Sequence, residues 1–108
     1  MNLYTYKITL KAHYHDLKNW DAKTQAVFGE HAAYLKTGLD SGKVLIVGRT
    51  DTALDKNFGL AVFKAENESE ARAFMQADPV VVAGIMDGEV YPFKLFMVTD
   101  EARSFNIW

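Results

Sequence analysis

The chain has 108 residues, with 14 Asp and Glu against 12 Lys and Arg, no two basic residues adjacent, and no cysteine. The balanced charge lacks the electrostatic footprint of a nucleic-acid binder, and the missing thiols exclude disulfides, cysteine nucleophiles, zinc ribbons and iron–sulfur clusters. A chain of this length buries roughly 60 to 65% of the surface its unfolded form exposes, enough for one modest core, so a single domain over residues 1–108 is expected.

The N-terminal MNLYTYKITLK alternates polar and apolar residues. It has no continuous apolar stretch of the signal-peptide kind, and no segment reaches the roughly 20 apolar residues of a membrane span. The expectation is a cytoplasmic protein without a membrane partner. Between Leu3 and Ala12 the alternation places Tyr4, Tyr6, Ile8 and Leu10 on one face and Thr5, Lys7 and Thr9 on the other, which predicts a half-buried strand. A polar loop follows over 13–21. Residues 23–40 then carry Val27, His31, Tyr34, Leu35, Gly38 and Leu39 in one stripe at spacings of three and four, which predicts a helix ending near Asp40, Ser41 and Gly42.

Two short β-rich runs come next, Lys43 to Thr50 and Phe58 to Ala65, and the turn-rich DTALDKN between them suits an antiparallel pair. Asn67, with Glu70 three residues on, resembles a capping box and opens a second helix with Ala71, Phe74, Met75 and Asp78 on one side. That helix ends at Asp78, because the residue before a proline is pushed out of the helical region. Asp78 followed by Pro79 also caps a short apolar helix over 79–83. Met86-Asp87-Gly88-Glu89 reads as a turn, and Val90 to Val98 as the last strand, with Pro92 suited to an edge or a bulge.

The order is β-α-β-β-α-β, an α+β protomer of the ferredoxin-like plan with both helices on one face of a four-stranded antiparallel sheet. The strands carry apolar side chains at both parities: Val44 and Ile46 against Leu45 and Val47, Leu60 and Val62 against Ala61 and Phe63. Two helices cover only one face, so the other predicts a homodimer whose sheets meet face to face.

His31 interrupts the apolar stripe of the first helix, and Asp78 lies on that of the second. Each has an ordinary structural reading, a satisfied core histidine and a helix cap. Side by side on one face of the sheet they could instead meet as a dyad, in which the carboxylate accepts one ring N–H and leaves the other nitrogen as a general base. Arg49, closing the second strand after Gly48, could clamp an anionic group, and Tyr34, three residues after His31, could orient a substrate through its hydroxyl. His13 and His15 would share a side in an extended backbone, yet the sequence supplies no third ligand, so no metal is expected.

The stretches 28-FGEHAAYLKTGLDSGKVLIVGRT-50 and 59-GLAVFKAENESEARAFMQADPVVVAGIMDGEVYPFKLFMV-98 carry an ordered set of short motifs. They are His31, Tyr34-Leu35, Gly42, Gly48, Asp78-Pro79, Ala83-Gly84 and Pro92-Phe93. The set resembles the YCII-related family of small proteins over about two thirds of the chain. The resemblance implies a dimeric α+β barrel with a core over about 3–98, an active site on His31 and Asp78, and dehydrochlorinase-like or isomerase-like proton chemistry on small cyclic or aromatic-derived compounds; no cofactor is expected. A non-catalytic protein that binds a small molecule in the same pocket is the alternative. The chain departs from the family pattern at Phe28-Gly29-Glu30 and at Arg49. Its C-terminal extension, 99–108, ends in SFNIW, expected to pack over the pocket, the dimer seam or the core.

Overall fold

The computed structural model describes residues 1–100; the C-terminal SFNIW, 104–108, lies outside the described residues. Four strands, β1 (Asn2–Leu10), β2 (Val44–Arg49), β3 (Phe58–Ala65) and β4 (Met86–Pro92), form one sheet in the order β2-β3-β1-β4, antiparallel at every seam. Helices α1 (Ala22–Ser41), α2 (Glu68–Gln76) and α3 (Pro79–Val82) complete the β-α-β-β-α-β ferredoxin-like plan. No described helix is long and apolar enough to cross a membrane.

The alternation of β1 is realised as written, with Tyr4, Tyr6, Ile8 and Leu10 buried and the residues between them half-buried. Cross-strand register carries this face over the sheet. Tyr6 stands opposite Ala61 on one side and Val90 on the other, and Tyr4 opposite Phe63. Leu35 of α1, Ala71 and Met75 of α2, and Val80 of α3 close over these residues. The helix ends follow local chemistry. The side chain of Asp21 accepts the Thr24 amide at the start of α1, and Gly42 ends it at φ 80, the left-handed conformation that glycine adopts without penalty. Asn67 caps α2 by accepting the Glu70 amide.

Three expectations about the strands need correction. In β2 the register slips between Val44 and Ile46, so Val44 and Val47 face the core while Ile46 is exposed; strict alternation had put Val44 and Ile46 on one face. The slip places one extra residue, Leu45, in the strand. The second concerns Met86-Asp87-Gly88-Glu89, which is not a turn but the first half of β4, where Asp87, Gly88 and Glu89 pair with Thr9, Ile8 and Lys7. The turn comes earlier, at Gly84 with φ 74. Gly88 is there for space, because a Cβ on it would collide with the thioether of Met75 from α2. Third, the last strand, expected over Val90 to Val98, ends at Pro92 on the sheet edge; the Phe93 N–H still donates to the Leu3 carbonyl at 3.0 Å, but Phe93 to Val98 are exposed and outside any strand.

Gly88→Ala is therefore expected to destabilise the fold by about 1–3 kcal/mol through overpacking. Gly29→Ala, on an open stretch of α1, is expected to be neutral or to stabilise by about 0.5–1 kcal/mol. Urea unfolding midpoints of the two variants check both signs.

Candidate active site

Asp78 lies at the junction of α2 and α3. Pro79 holds it in an extended conformation, φ −62 and ψ 127, and its side chain turns back over the start of α3 to accept the Val80 amide at 3.2 Å. The same carboxylate receives two more groups. His31 Nδ1, from the middle of α1, lies 2.7 Å from Oδ1 and 2.9 Å from Oδ2, and the Tyr6 hydroxyl, from β1, donates to Oδ2 at 2.7 Å. Asp78 is fully buried, whereas the His31 side chain remains 17% exposed. The pair therefore links a sealed carboxylate to an imidazole that reaches the surface.

Charge decides the tautomer. An ionised carboxylate only accepts, so the nitrogen facing it must carry the proton. His31 Nδ1–H donates to Asp78, and Nε2 presents a lone pair; among the described residues it has no hydrogen-bond partner. Among the described residues, too, no Lys or Arg pairs with Asp78. An unpaired buried carboxylate costs several kcal/mol. Here the tyrosine hydroxyl, the imidazole N–H and the backbone amide offset that cost by charge-assisted hydrogen bonds.

Around the pair the walls are aromatic. Phe28 meets His31 edge-on at 6.4 Å, and Trp20 stacks on Phe28 at 4.7 Å with the rings nearly parallel. The Trp20 indole N–H donates to the Tyr14 carbonyl, which ties the loop before α1 to this stack. A cleft of about 180 Å³ opens between the start of α1 and the end of α3, lined by Tyr14, Asp21, Lys23, Thr24, Val27 and Ile85, among others. Val27 stands one helical turn before His31, but neither His31 nor Asp78 lines this cleft. That volume is below the ~300–1,000 Å³ of ordinary small-molecule sites.

The other sequence candidates are placed differently. Tyr34 stacks on Phe74 at 5.1 Å and donates its hydroxyl proton to the Phe74 carbonyl at 2.8 Å, so it fastens α1 to α2. Arg49 is exposed at the end of β2, opposite Gly59, and no hydrogen bond or ion pair joins it to His31 or Asp78. His13 and His15 sit in a 3₁₀ turn, not an extended segment, and His15 Nε2 lies 3.1 Å from the Leu10 carbonyl. Among the described residues no three metal-ligating side chains cluster. Tyr6 is the residue that pattern reasoning missed. Alternation placed it on the core face but said nothing about its hydroxyl. The available signal was that a tyrosine buried mid-strand must find an acceptor.

Burial, then the charge and hydrogen bond of Asp78, raise the phenol of Tyr6 well above the ordinary tyrosine range. Burial and the same charge push Tyr34 up to about 12. On unfolding both return to about 10. Their stabilisation is whole below about pH 10, where both states keep the proton, and is lost as pH rises beyond it, because only the unfolded chain releases the proton. Unfolding free energy measured by urea titration is expected to fall above about pH 10. In Tyr6→Phe the fall should be shallower, by up to about 1.4 kcal/mol per pH unit.

Comparison with known proteins gave a structural neighbour and a family match. No curated protein matches the sequence. Among solved structures, the chain is similar to the 5-chloro-2-hydroxyhydroquinone dehydrochlorinase TftG from Burkholderia phenoliruptrix AC1100, determined in complex with 2,5-dihydroxybenzoquinone. The TM-score is 0.62 at 20% identity, over 85% of this chain and 93% of that one. At that identity the likeness establishes the fold, which is the α+β ferredoxin-like plan described above. The family model of the YCII-related domain matches residues 5–94, which take in Tyr6 of β1, His31 and the Asp78-Pro79 junction. This chain belongs to the YCII-related family.

Proposed function

We propose that this protein is a small general acid/base enzyme that carries out an elimination or isomerisation on a small cyclic or aromatic-derived compound, with His31 as the base and Asp78 as its partner. The observation that carries the proposal is the contact of 2.7 Å between Nδ1 and a fully buried carboxylate, with the ring still partly exposed. A core histidine kept only for packing needs no ionised partner in a sealed site, and a helix cap needs no imidazole.

In this reading Nε2 accepts a proton from the substrate. The electron pair of the broken bond to hydrogen shifts into the ring or carbonyl system, and in an elimination it expels the leaving group as an anion. Asp78 then faces an imidazolium, so the charge that develops on His31 is stabilised at the moment it forms. The proton returns to solvent or, in an isomerisation, to a neighbouring atom of the substrate. Dehydrochlorination, the activity named for the similar structure, is loss of HCl, and its proton-removing half is the task an imidazole base performs. The stacked Trp20 and Phe28 supply a flat apolar wall suited to a planar ring. Arg49 has no part in this reading, and the Tyr34 hydroxyl is already engaged.

The working form is a homodimer through the open sheet face. Ile46, Val62, Thr5 and Tyr91 form one cross-strand row there, and Gly48, Leu60, Lys7 and Glu89 the next. Ile46 is 57%, Leu60 42% and Tyr91 46% exposed, a run of apolar surface that helices do not cover.

Screening halogenated and hydroxylated quinols, quinones and lactones for release of halide or change of absorbance is expected to find a substrate whose turnover drops about 10²–10⁴-fold in His31→Ala. Equal turnover by that variant, or tight binding of such rings without any turnover, would overturn the catalytic reading. Sedimentation at micromolar concentration is expected to give a dimer, and Ile46→Asp a monomer of unchanged circular dichroism. A wild-type monomer rules out the sheet-to-sheet assembly.

A further inference from the structure

Tyr6 sits at the centre of β1, an interior strand flanked by β3 and β4, and is 1% exposed. Its ring packs against Phe63 at 5.6 Å and Phe74 at 6.0 Å, so the hydroxyl has a fixed position. That hydroxyl and the His31 N–H share Oδ2 of Asp78, while the Val80 amide and the same N–H share Oδ1. The carboxylate is thus held from both ends. Its plane cannot turn about the Cβ–Cγ bond without breaking the Tyr6 or the Val80 bond, and the direction of the His31 ring follows from that plane.

A donor on Oδ2 also draws negative charge away from the side facing the imidazole. The less basic the carboxylate, the less it favours an imidazolium. The groups that face Asp78 from each packed element are few. α1 brings His31 and Tyr34, β1 brings Tyr6 and α3 the Val80 amide, while the Phe74 and Phe63 rings of α2 and β3 pack against Tyr6. Lys43, before β2, lies over Phe74 at 4.9 Å and Phe63 at 6.0 Å, and pairs with Glu70. Tyr6 is therefore the one side chain besides His31 that donates directly to this carboxylate among the described residues.

From this geometry we propose that Tyr6 is a positioning residue that fixes the Asp78 carboxylate and, through it, sets how readily His31 takes up a proton. The proposal rests on the dyad of the preceding section. It makes the working base a three-membered chain from β1, α2–α3 and α1, in which Tyr6 holds the carboxylate that orients the His31 ring. Tyr6 touches no substrate and transfers no proton; its bond to Oδ2 persists throughout.

The test uses the whole protein without substrate, with the ring nitrogens of His31 followed by NMR against pH. Tyr6→Phe keeps the packing and removes the donor. Proton uptake by the His31–Asp78 pair is expected to move upward by about one pH unit, about tenfold in proton affinity, with the Nδ1–H resonance displaced. Replacement of Tyr6 by 3-fluorotyrosine, a stronger donor of nearly the same shape, is expected to move it downward. Opposite directions in the two variants are the signature of donor strength, which a packing role does not produce; should Tyr6→Phe not fold, the fluorotyrosine arm decides alone. If Asp78→Asn moves the pair's uptake while neither Tyr6 variant does, the dyad stands and the role of Tyr6 is overturned. If Asp78→Asn leaves it unmoved, the dyad itself fails and this proposal with it.

Discussion

A single ionised carboxylate, sealed from water, organises this molecule. Asp78 has no cation paired with it among the described residues and is held instead by a tyrosine hydroxyl, an imidazole N–H and a backbone amide. Each donor comes from a different element, β1, α1 and α3. A buried charge tolerates only arrangements that supply all its partners, so the mutual placement of the central strand and two helices is tied to one side chain. The chemistry proposed for His31 uses the same constraint, since what satisfies the carboxylate also fixes the tautomer of the ring.

Phe74 transmits that placement to the rest of the core. It stands four residues before Asp78 on α2, packs against Phe63 at 4.8 Å and Tyr6 at 6.0 Å, and stacks with Tyr34 at 5.1 Å. Its carbonyl receives the Tyr34 hydroxyl. One aromatic residue thus sets the spacing of α1, α2 and the sheet, and with it the reach of His31 to Asp78. The polar pair is rigid because the apolar cluster beside it is.

Much of this was legible from local pattern. The alternation of β1, the stripe of α1 and the stop at Asp78-Pro79 are short-range signals, and each is realised within one or two residues of the expected bounds. The meeting of His31 and Asp78 could be anticipated because both lie on stripes that the ferredoxin-like plan turns toward one another. What escaped depends on contacts distant in sequence. Asp87-Gly88 imitates a hairpin turn, and only the presence of Met75 beneath it explains the glycine as a strand residue. The slip at Leu45 leaves no mark in an unbroken apolar run. Tyr6 looked like any core aromatic, because the identity of a hydroxyl's acceptor is not written beside it.

The position of β1 in the sheet has a bearing on how the chain acquires its shape during synthesis. The strand made first lies between β3 and β4, which are made later, and its tyrosine waits for an acceptor more than seventy residues downstream. Until Asp78 emerges, a folded arrangement would bury the Tyr6 hydroxyl without a partner, and β1 could pair with β3 but not yet with β4. The β1–β4 seam, whose second strand follows Asp78 in the chain, can be completed only after the carboxylate has been made. Such non-local closure is slow relative to helix formation. The elements made before the Asp78-Pro79 junction, α1 among them, place His31 but not its counter-charge.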